Sequence, residues 1–260
     1  MRLLSTRRKI GGHRYLVIDE RGIPASVRLD REKAVQLLRP GWPDLRPLGV
    51  ASHLERLIVL EHEPMAFDAL AEMPRLVSVD LFVAKPSASL PRLVAEDLRE
   101  VGVRWWPQFA SLTSSPGLDV LLIEHASDLC LQTIDWDVPP KTLDIRTASR
   151  LEQVWPFWLV EALSLAGLRL PEGGLGGDAF AARSLELDTV KGLQEMPHAP
   201  NLSRLVLSDT LVARPDSFDR LLGSPLMEVI LTGRTNVPLD VLRRLCGRGV
   251  TLKGRLPADL

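Results

Sequence analysis

Two short runs in the chain combine histidine with glutamate, side chains that zinc and similar metals accept as ligands. Glu61, His62 and Glu63 are consecutive, and Glu124 directly precedes His125. The two runs lie three units apart in the repeat described below. That separates them by roughly 14 Å, whereas zinc holds its ligands at about 2 Å. The first run alone lacks a fourth ligand, so the spacing favours no metal site.

Other residues that could support catalysis are no better placed. Residues 173–177, with the sequence GGLGG, resemble a phosphate-binding loop in glycine content only. They lack the Gly-Lys-Ser/Thr ending and a clear following helix, so a flexible connection is the better interpretation. Cys130 and Cys246 have no histidine at a spacing that places it beside the thiol. We therefore expect neither a catalytic residue nor a bound cofactor.

A repeat of apolar pairs predicts the secondary-structure elements that position all these residues. Two aliphatic residues spaced two apart recur about every 21 residues from position 57 to the end. A fixed period in the twenties is typical of a solenoid, in which each unit buries its apolar side by stacking on its neighbours. The pairs are Leu57/Val59, Val79/Leu81, Val101/Val103, Leu121/Ile123, Leu143/Ile145, Leu163/Leu165, Leu185/Leu187, Leu205/Leu207, Val229/Leu231 and Val250/Leu252.

Each pair is predicted to lie in a short strand, because side chains two apart point to the same side of a strand. The chain then returns through a loop or a short helix. Residues 67–71 and 218–222 carry apolar residues at helical spacing ahead of a proline. The predicted fold class is therefore an α/β solenoid of about ten units over residues 51–260, with a parallel sheet.

Residues 1–50 lack the repeat and are predicted to form a small N-terminal α+β cap with a hairpin and a short helix. His13 to Asp19 alternates like a strand, a turn follows, and residues 25–29 are interpreted as the second strand. Asp30 is the expected N-cap of a helix over residues 31–38, which Pro40 would end. Such a cap would cover the apolar end of the first unit.

Several segments carry a family resemblance. Residues 54–59, 76–81, 118–123 and 202–207 resemble the LxxLxL core of leucine-rich repeat proteins. The resemblance implies a curved array with its parallel sheet on the concave face, which such proteins present to partners. One feature departs from the family. The Asn or Cys expected three residues after LxL is replaced, for example by His62, Ala84 and Thr210, so an irregular array without an asparagine ladder is expected.

If the apolar pairs face the core, the residues between and beside them face outward and form the candidate binding surface. Ten strands would give a face on the order of 45 Å long, which suits a protein or peptide better than a metabolite. Aromatic and arginine side chains are enriched at interface hot spots, so the first half of the face is favoured. The predicted protein-binding residues are Arg56, Leu60, Asp80, Phe82, Arg104, Trp105, Glu124 and Arg146.

Composition limits the kinds of partner that we expect the chain to bind. A formal net charge of −1 gives no general attraction to nucleic acid or to an anionic membrane, so neither is expected as a partner. No segment has the length and apolarity of a membrane span or a signal peptide, and two cysteines make no disulfide framework. We expect a cytoplasmic, bacterial-type protein, a monomer or weakly self-associating, that binds another protein without catalysis. Neutralising a toxin or sequestering an enzyme, as immunity proteins do, is the finer hypothesis.

Two alternatives stay open. The chain could be an enzyme whose site forms where the cap meets the first repeat, with His13, Tyr15, Asp19 and His53 converging there. A pocket that holds two of these groups with perturbed pKa values would support that hypothesis. The chain could instead be a structural module that self-associates through its last strand, residues 250–252, whose edge has no following cap.

Overall fold

Strands dominate the fold, and most of them pair in parallel. The computed structural model describes residues 7–84, 97–104, 117–124, 128–129, 139–147, 150–151, 157–175 and 179–257. The strands are β1 Arg7–Ile10, β2 His13–Asp19, β3 Ala34–Leu38, β4 Arg56–Glu61, β5 Ser78–Val83, β6 Glu100–Arg104, β7 Val120–Glu124, β8 Asp128–Leu129, β9 Thr142–Arg146, β10 Arg150–Leu151, β11 Ala162–Ala166, β12 Ser184–Asp188, β13 Arg204–Ser208, β14 Glu228–Thr232 and β15 Thr251–Gly254.

Thirteen of these strands form one sheet, ordered from β1 to β7 and then β9, β11, β12, β13, β14 and β15. The strands β8 and β10 pair with each other in a separate two-stranded sheet. Only β1 pairs antiparallel among the pairs whose register is described, with β2 as its partner. Neighbours in the sheet are neighbours along the sequence, which is consistent with a solenoid-like repeat.

Helical segments are short and few. The described 3₁₀ turns span Leu29–Arg31, Arg46–Leu48, Asp68–Glu72, Phe157–Leu159 and Pro215–Gly223. One α-helix, α1, is described at Leu239–Gly247. The turns at Asp68–Glu72 and Pro215–Gly223 confirm the short helical segments predicted around residues 67–71 and 218–222.

The chain divides into two compact units. The first unit comprises residues 1–121 with 133–138, and the second comprises residues 122–132 with 139–260. The core of each unit is built from the apolar pairs. Leu57, Val79 and Val101 stand opposite one another in the first unit, and Leu163, Leu185 and Leu205 do so in the second. The proposed boundary between a cap at residues 1–50 and an array at 51–260 stays a prediction.

The register confirms the repeat for the pairs from Leu57/Val59 to Val229/Leu231, each of which lies in its own strand and is buried. The residue three positions before a pair is also core. Leu54, Leu76 and Leu202, for example, are all buried. In most units one aliphatic position precedes the strand and two lie in it, and together they fill the space between neighbouring units.

The predicted helix at residues 31–38 is wrong, because Ala34–Leu38 is strand β3. Val35 and Leu37 are fully buried and stand opposite Leu57 and Val59 in a parallel pair with β4. The same spacing of 22 residues that joins later units thus joins β3 to β4. Burial of an alternating pair overrides the helical tendency of a run bounded by Asp30 and Pro40.

The second hairpin strand predicted at residues 25–29 is also wrong. The hairpin lies earlier, between β1 and β2. Gly11 and Gly12 connect these strands with φ values of 52° and 86°. Glycine adopts positive φ at little cost, so two consecutive glycines specify a tight turn there.

The register of the last predicted pair is shifted by two residues. Leu252, rather than Val250, stands opposite Val229, and Gly254 stands opposite Leu231. Val250 is buried but lies just before β15. The second pair position of the last strand thus has no side chain, and aliphatic residues alone could not reveal that.

Many strands are followed by a residue with left-handed backbone geometry. This residue helps to hold the turn where there is no asparagine ladder. These residues follow directly on the last residue of a strand, with φ between 45° and 67°. The backbone N–H of Thr147 donates to the Ala166 carbonyl at 2.7 Å, and that of Thr189 donates to the Ser208 carbonyl at 2.8 Å. Each turn is thereby tied to the next strand. The residues are Arg39, Thr147, Gly167, Thr189, Asp209 and Gly233.

Thr210 supplies a side-chain tie at one of the positions where the family resemblance expects asparagine. The residue is fully buried, and its Oγ1 accepts a hydrogen bond from the Val190 N–H at 3.1 Å. The same hydroxyl lies 2.9 Å from the Ser208 carbonyl, to which it can donate. A threonine hydroxyl thus performs locally what an asparagine amide would otherwise do.

Candidate functional site

The outward side of the sheet in the first unit carries three rows of side chains, which we call the first-unit face. They alternate with the buried pairs, and the strand register places them side by side across β3 to β6. The first row is Ala34, Arg56, Ser78 and Glu100; the second is Gln36, Ile58, Asp80 and Gly102; the third is Leu38, Leu60, Phe82 and, next in register, Arg104.

An apolar cluster forms the base of this face. Tyr15, Ala34 and Ile58 are only 4, 7 and 9% exposed and pack together, with Ile10 and Leu60 partly buried against them. Outward positions of a half-solvated sheet are usually polar. The first-unit face instead has a packed apolar base, which holds the half-buried Leu60 in place.

Arg56 connects this base to two polar groups. Its Nη1 donates to Glu100 Oε2 at 3.0 Å, and its guanidinium lies beside the Tyr15 hydroxyl. Burial raises the pKa of Tyr15 above its ordinary value, the Arg56 charge opposes that rise, and the Asp80 and Glu100 charges add to it. Tyr15 is thus a neutral hydrogen-bonding group at neutral pH.

Gln36 lies near the centre of the same face with an unsatisfied polar atom. The residue is 3% exposed, and its Oε1 has no hydrogen-bond partner within the part of the chain that the structure describes. A buried acceptor without a partner costs free energy. Like Tyr15 and Glu100, Gln36 was absent from the predicted binding residues. Its place in the 22-residue register beside Ile58 is the signal that would have found it.

Gly102 makes room for the Asp80 carboxylate. A methyl group at position 102 would overlap Asp80 Oδ1 and lie 3.5 Å from Phe82 Cζ. The missing side chain therefore leaves room for an acidic group and an aromatic ring, which lie two residues apart on β5 and on the same face. Asp80 also has an interaction partner of its own.

Arg104 differs from the other described arginines of the outward positions. Arg56 pairs with Glu100, Arg146 with Asp144, and Arg204 with Glu228. The Arg104 guanidinium, by contrast, forms no ion pair or hydrogen bond with any residue that the structure describes. Within the described part of the chain, its positive charge is therefore not neutralised by an ion pair.

The outward side of the second unit is more polar and largely self-paired. Arg146 Nε lies 3.0 Å from Asp144 Oδ2, and this hydrogen bond raises the pKa of Arg146, with a smaller contribution from the Glu124 charge. Lys253 and Arg204 both bind Glu228, at 2.6 and 3.1 Å. Charges that already neutralise one another offer little to a partner.

The predicted binding residues are thus distributed over two surfaces. Leu60 and Phe82 stand opposite each other in the first-unit face, as predicted for an aromatic and arginine cluster. Arg56, Asp80 and Arg104 lie on the same face, whereas Glu124 and Arg146 belong to the second unit. Trp105 lies outside the described residues, as does His125. Whether any of these residues binds a partner stays a prediction.

The residues of the alternative enzymatic hypothesis do not converge. His13 and Asp19 stand at opposite ends of β2, about 20 Å apart along the strand. Asp19 hydrogen-bonds Arg21, which lowers the pKa of that carboxyl. His53 Nδ1 lies 2.9 Å from Arg75 Nη1. Tyr15 packs at the base of the first-unit face, and Asp19 stands opposite Leu38 at its edge.

Glu61, one of the metal-ligand candidates, is buried and serves the backbone instead. Its carboxylate accepts hydrogen bonds from the N–H groups of Gly41 at 3.0 Å, His62 at 2.7 Å and Glu63 at 3.2 Å. Across the described residues no three histidine, cysteine or acidic side chains gather as metal ligands. The carboxylate therefore stabilises the turn after β4.

Comparison with known proteins adds no relative. No protein-family model matches the sequence, and no curated protein matches it. Within the described part of the chain, no helix has the length and apolarity needed to cross a membrane.

Proposed function

We propose that the chain is a non-enzymatic protein-binding module of the leucine-rich repeat type, with the first-unit face as its binding surface. The observation that carries the proposal is the composition of that face. Leu38, Leu60 and Phe82 lie side by side on an apolar base, and Arg104 stands next to them without an ion pair to any described residue. Aromatic, aliphatic and arginine side chains in one patch are typical of interface hot spots.

Preorganisation supports the same proposal. Tyr15 and Ile58 are nearly buried beneath Leu60, and Arg56 is held by Glu100. A partner would meet side chains that are already fixed, so less conformational entropy is lost on binding. In the second unit, the outward-facing Arg146 and Arg204 are each paired with a carboxylate of the chain.

A flat sheet face also suits a macromolecule. The four strands β3 to β6 of the first-unit face span about 14 Å across the sheet. Two grooves described in the second unit measure about 480 Å³, beside Leu231 and Arg234, and about 260 Å³, beside Leu168 and Arg169. That the bound protein is a toxin or an enzyme, which the chain neutralises, stays a finer prediction. Identification of the partner would test it.

Selection of binders from a random library of displayed protein fragments tests the proposal. Fragments enriched on the wild-type chain are rescored on Leu60→Ala and on the matched control Leu211→Ala, whose side chain is 55% exposed in the second unit. We expect Leu60→Ala to weaken most enriched fragments at least tenfold, while Leu211→Ala leaves them unchanged. Fragments that bind both variants as they bind the wild type would place the binding surface elsewhere.

Solution size must be measured alongside the selection. Light scattering of the purified chain, at concentrations spanning the binding assays, separates partner binding from self-association through β15. If the Leu60→Ala variant lost its binders because its oligomeric state had changed, the proposal would fail in favour of a self-associating module.

A further inference from the structure

From Arg104 and the apolar row beside it, we infer that the first-unit face receives an amphipathic helix of a partner protein that carries a carboxylate one turn beyond its apolar side chains. The apolar row is Leu38, Leu60 and Phe82, which the register places opposite one another on β3, β4 and β5. This inference rests on the proposed function and specifies the chemistry of the bound partner.

The apolar row is open to a partner. Leu38 is 38% exposed, and Leu60 and Phe82 are both half-buried. At the Leu38 end the surface dips into a groove of about 310 Å³ lined by Asp19, Glu20, Leu38 and Arg39. At the other end stands Arg104 on β6, where Val103 pairs with Leu81 and Arg104 is next in register after it. The row is therefore apolar along its length and cationic at one end.

Spacing favours a helix as the occupant. Neighbouring rungs of a sheet are about 4.8 Å apart, so the three apolar side chains span about 9.6 Å. Side chains one turn apart on an α-helix are about 5.4 Å apart and three of them span about 10.8 Å. Alternate side chains of an extended strand are about 6.7 Å apart and would overshoot the row. A helix lying across the strands can thus contact each rung once.

Charge complementarity identifies the fourth contact. Arg56, Arg146 and Arg204 each have a carboxylate within reach on their own chain, whereas Arg104 has none among the described residues. An arginine beside an apolar row binds a carboxylate through charge-assisted hydrogen bonds, which are stronger than neutral ones. The next helical turn after the three apolar side chains would bring that carboxylate over Arg104.

Defined peptides test the inference without knowledge of the natural partner. The probe is a fluorescein-labelled, helix-stabilised peptide with three leucines one turn apart and a glutamate one turn further. Two matched probes carry glutamine or lysine in place of that glutamate. Dissociation constants are measured by fluorescence polarisation on the wild-type chain, Arg104→Gln, Arg104→Glu and the charge control Arg169→Gln, an exposed arginine of the second unit.

We expect the glutamate probe to bind the wild type about tenfold more tightly than the glutamine probe. Arg104→Gln should reduce this ratio to near one, Arg104→Glu should prefer the lysine probe, and Arg169→Gln should behave like the wild type. Leu60→Ala should weaken all three probes together. Raising the salt concentration should shrink the glutamate preference of the wild type, which checks the charge contact without any variant.

Several outcomes would overturn the inference. Equal binding of the glutamate and glutamine probes would do so, as would a preference that persists in Arg104→Gln. Failure of every probe to bind below about 1 mM, a limit of weak affinity, would exclude a helix on this row. Displayed fragments that depend on Leu60 but carry no acidic residue would leave the proposed function standing while this inference failed.

Discussion

The Arg56 side chain reaches past an intervening strand to Glu100, with Nη1 and Oε2 3.0 Å apart. Arg56 lies on β4 and Glu100 on β6, and Ser78 of β5 occupies the position between them in the same row. Serine is small enough to leave the path open. The pair therefore links two strands that do not hydrogen-bond each other, and it fixes the edge of the first-unit face.

The Arg56–Glu100 pair should contribute modestly to stability, because both side chains are partly exposed at 20 and 45%. We expect Glu100→Ala to cost less than about 1 kcal/mol. Arg56→Ala should cost more, about 1–2 kcal/mol, since it also removes a contact with the buried Tyr15. Urea unfolding of both variants and the double variant measures the coupling. Equal costs for the two single variants would argue against the Tyr15 contact.

Tyr15 should titrate above its ordinary pKa, since burial raises it. It is the chain's only tyrosine, so phenolate absorbance reports on it alone. The midpoint should lie higher in the folded protein than in urea, where it should lie near 10. Glu100→Gln should lower the folded midpoint, because that carboxylate's charge helps to raise it. Glu63→Gln, a change at an exposed residue on another part of the unit, serves as the control and should leave it unmoved.

The same shift makes stability depend on pH in the alkaline range. The unfolded chain releases the Tyr15 proton first, so the folded state binds more protons once the pH passes about 10. The free energy of unfolding should therefore be unaffected by Tyr15 below that pH and fall as the pH rises towards the folded pKa. Tyr15→Phe should show a shallower decline in urea unfolding between pH 9 and 11 (roughly the window that brackets the ordinary pKa). An unchanged slope would contradict the shift.

Core and face residues should respond differently to truncation. Leu205→Ala should cost about 2–5 kcal/mol of unfolding free energy, because this fully buried side chain lies between neighbouring units. Phe82→Ala should cost about 1 kcal/mol or less, since the ring is half-buried on the first-unit face. Thermal and urea unfolding measure both variants. If Phe82→Ala destabilised the fold as strongly as Leu205→Ala, that face would be core.

The left-handed turns predict a contrast between two glycines. Gly167 and Gly233 have φ values of 67° and 62°, so alanine at either position is strained by about 1–2 kcal/mol. Alanine at 167 would meet Thr147 atoms no closer than 3.5 Å, whereas alanine at 233 would overlap the Asp209 carboxylate. That carboxylate also accepts the Arg234 N–H at 2.9 Å.

Gly233→Ala should therefore cost more than Gly167→Ala in urea unfolding. Asp209→Ala combined with Gly233→Ala should remove much of the difference, because the overlapping group is gone. Equal costs for the two glycine substitutions would show that backbone strain alone decides the outcome.

Apolar periodicity predicted the strands of the array because burial at alternate positions is dictated by side-chain type. The strands that hold the pairs from Leu57 to Leu231 could be predicted without knowledge of tertiary contacts. The strand β3 was missed because Val35 and Leu37 stand among residues with helix-compatible boundaries, and only pairing with β4 decides between the two structures. The register shift of the last strand, at Gly254, could not be predicted for a different reason. A glycine has no apolar side chain, so a search for apolar pairs does not detect it.

The candidate surface was predictable in part. Alternation placed Leu60, Asp80 and Phe82 on the outward side, as the register shows. It did not show that Ile58 would be nearly buried there, because that burial requires Tyr15 from β2, a strand outside the detected repeat. Nor did it distinguish Arg146, which pairs with Asp144, from Arg104, which pairs with no carboxylate among the residues that the structure describes.

The left-handed turn position recurs in geometry while changing in residue type, from Arg39 to Thr147, Gly167 and Asp209. Its role is carried by a backbone N–H, which every residue except proline possesses. The residue type at this position can therefore change while the path of the backbone stays the same. A sequence profile would find no preferred residue there, whereas a comparison of backbone dihedral angles would still detect the position. In a search for distant relatives, the backbone of these turns should be more informative than their letters.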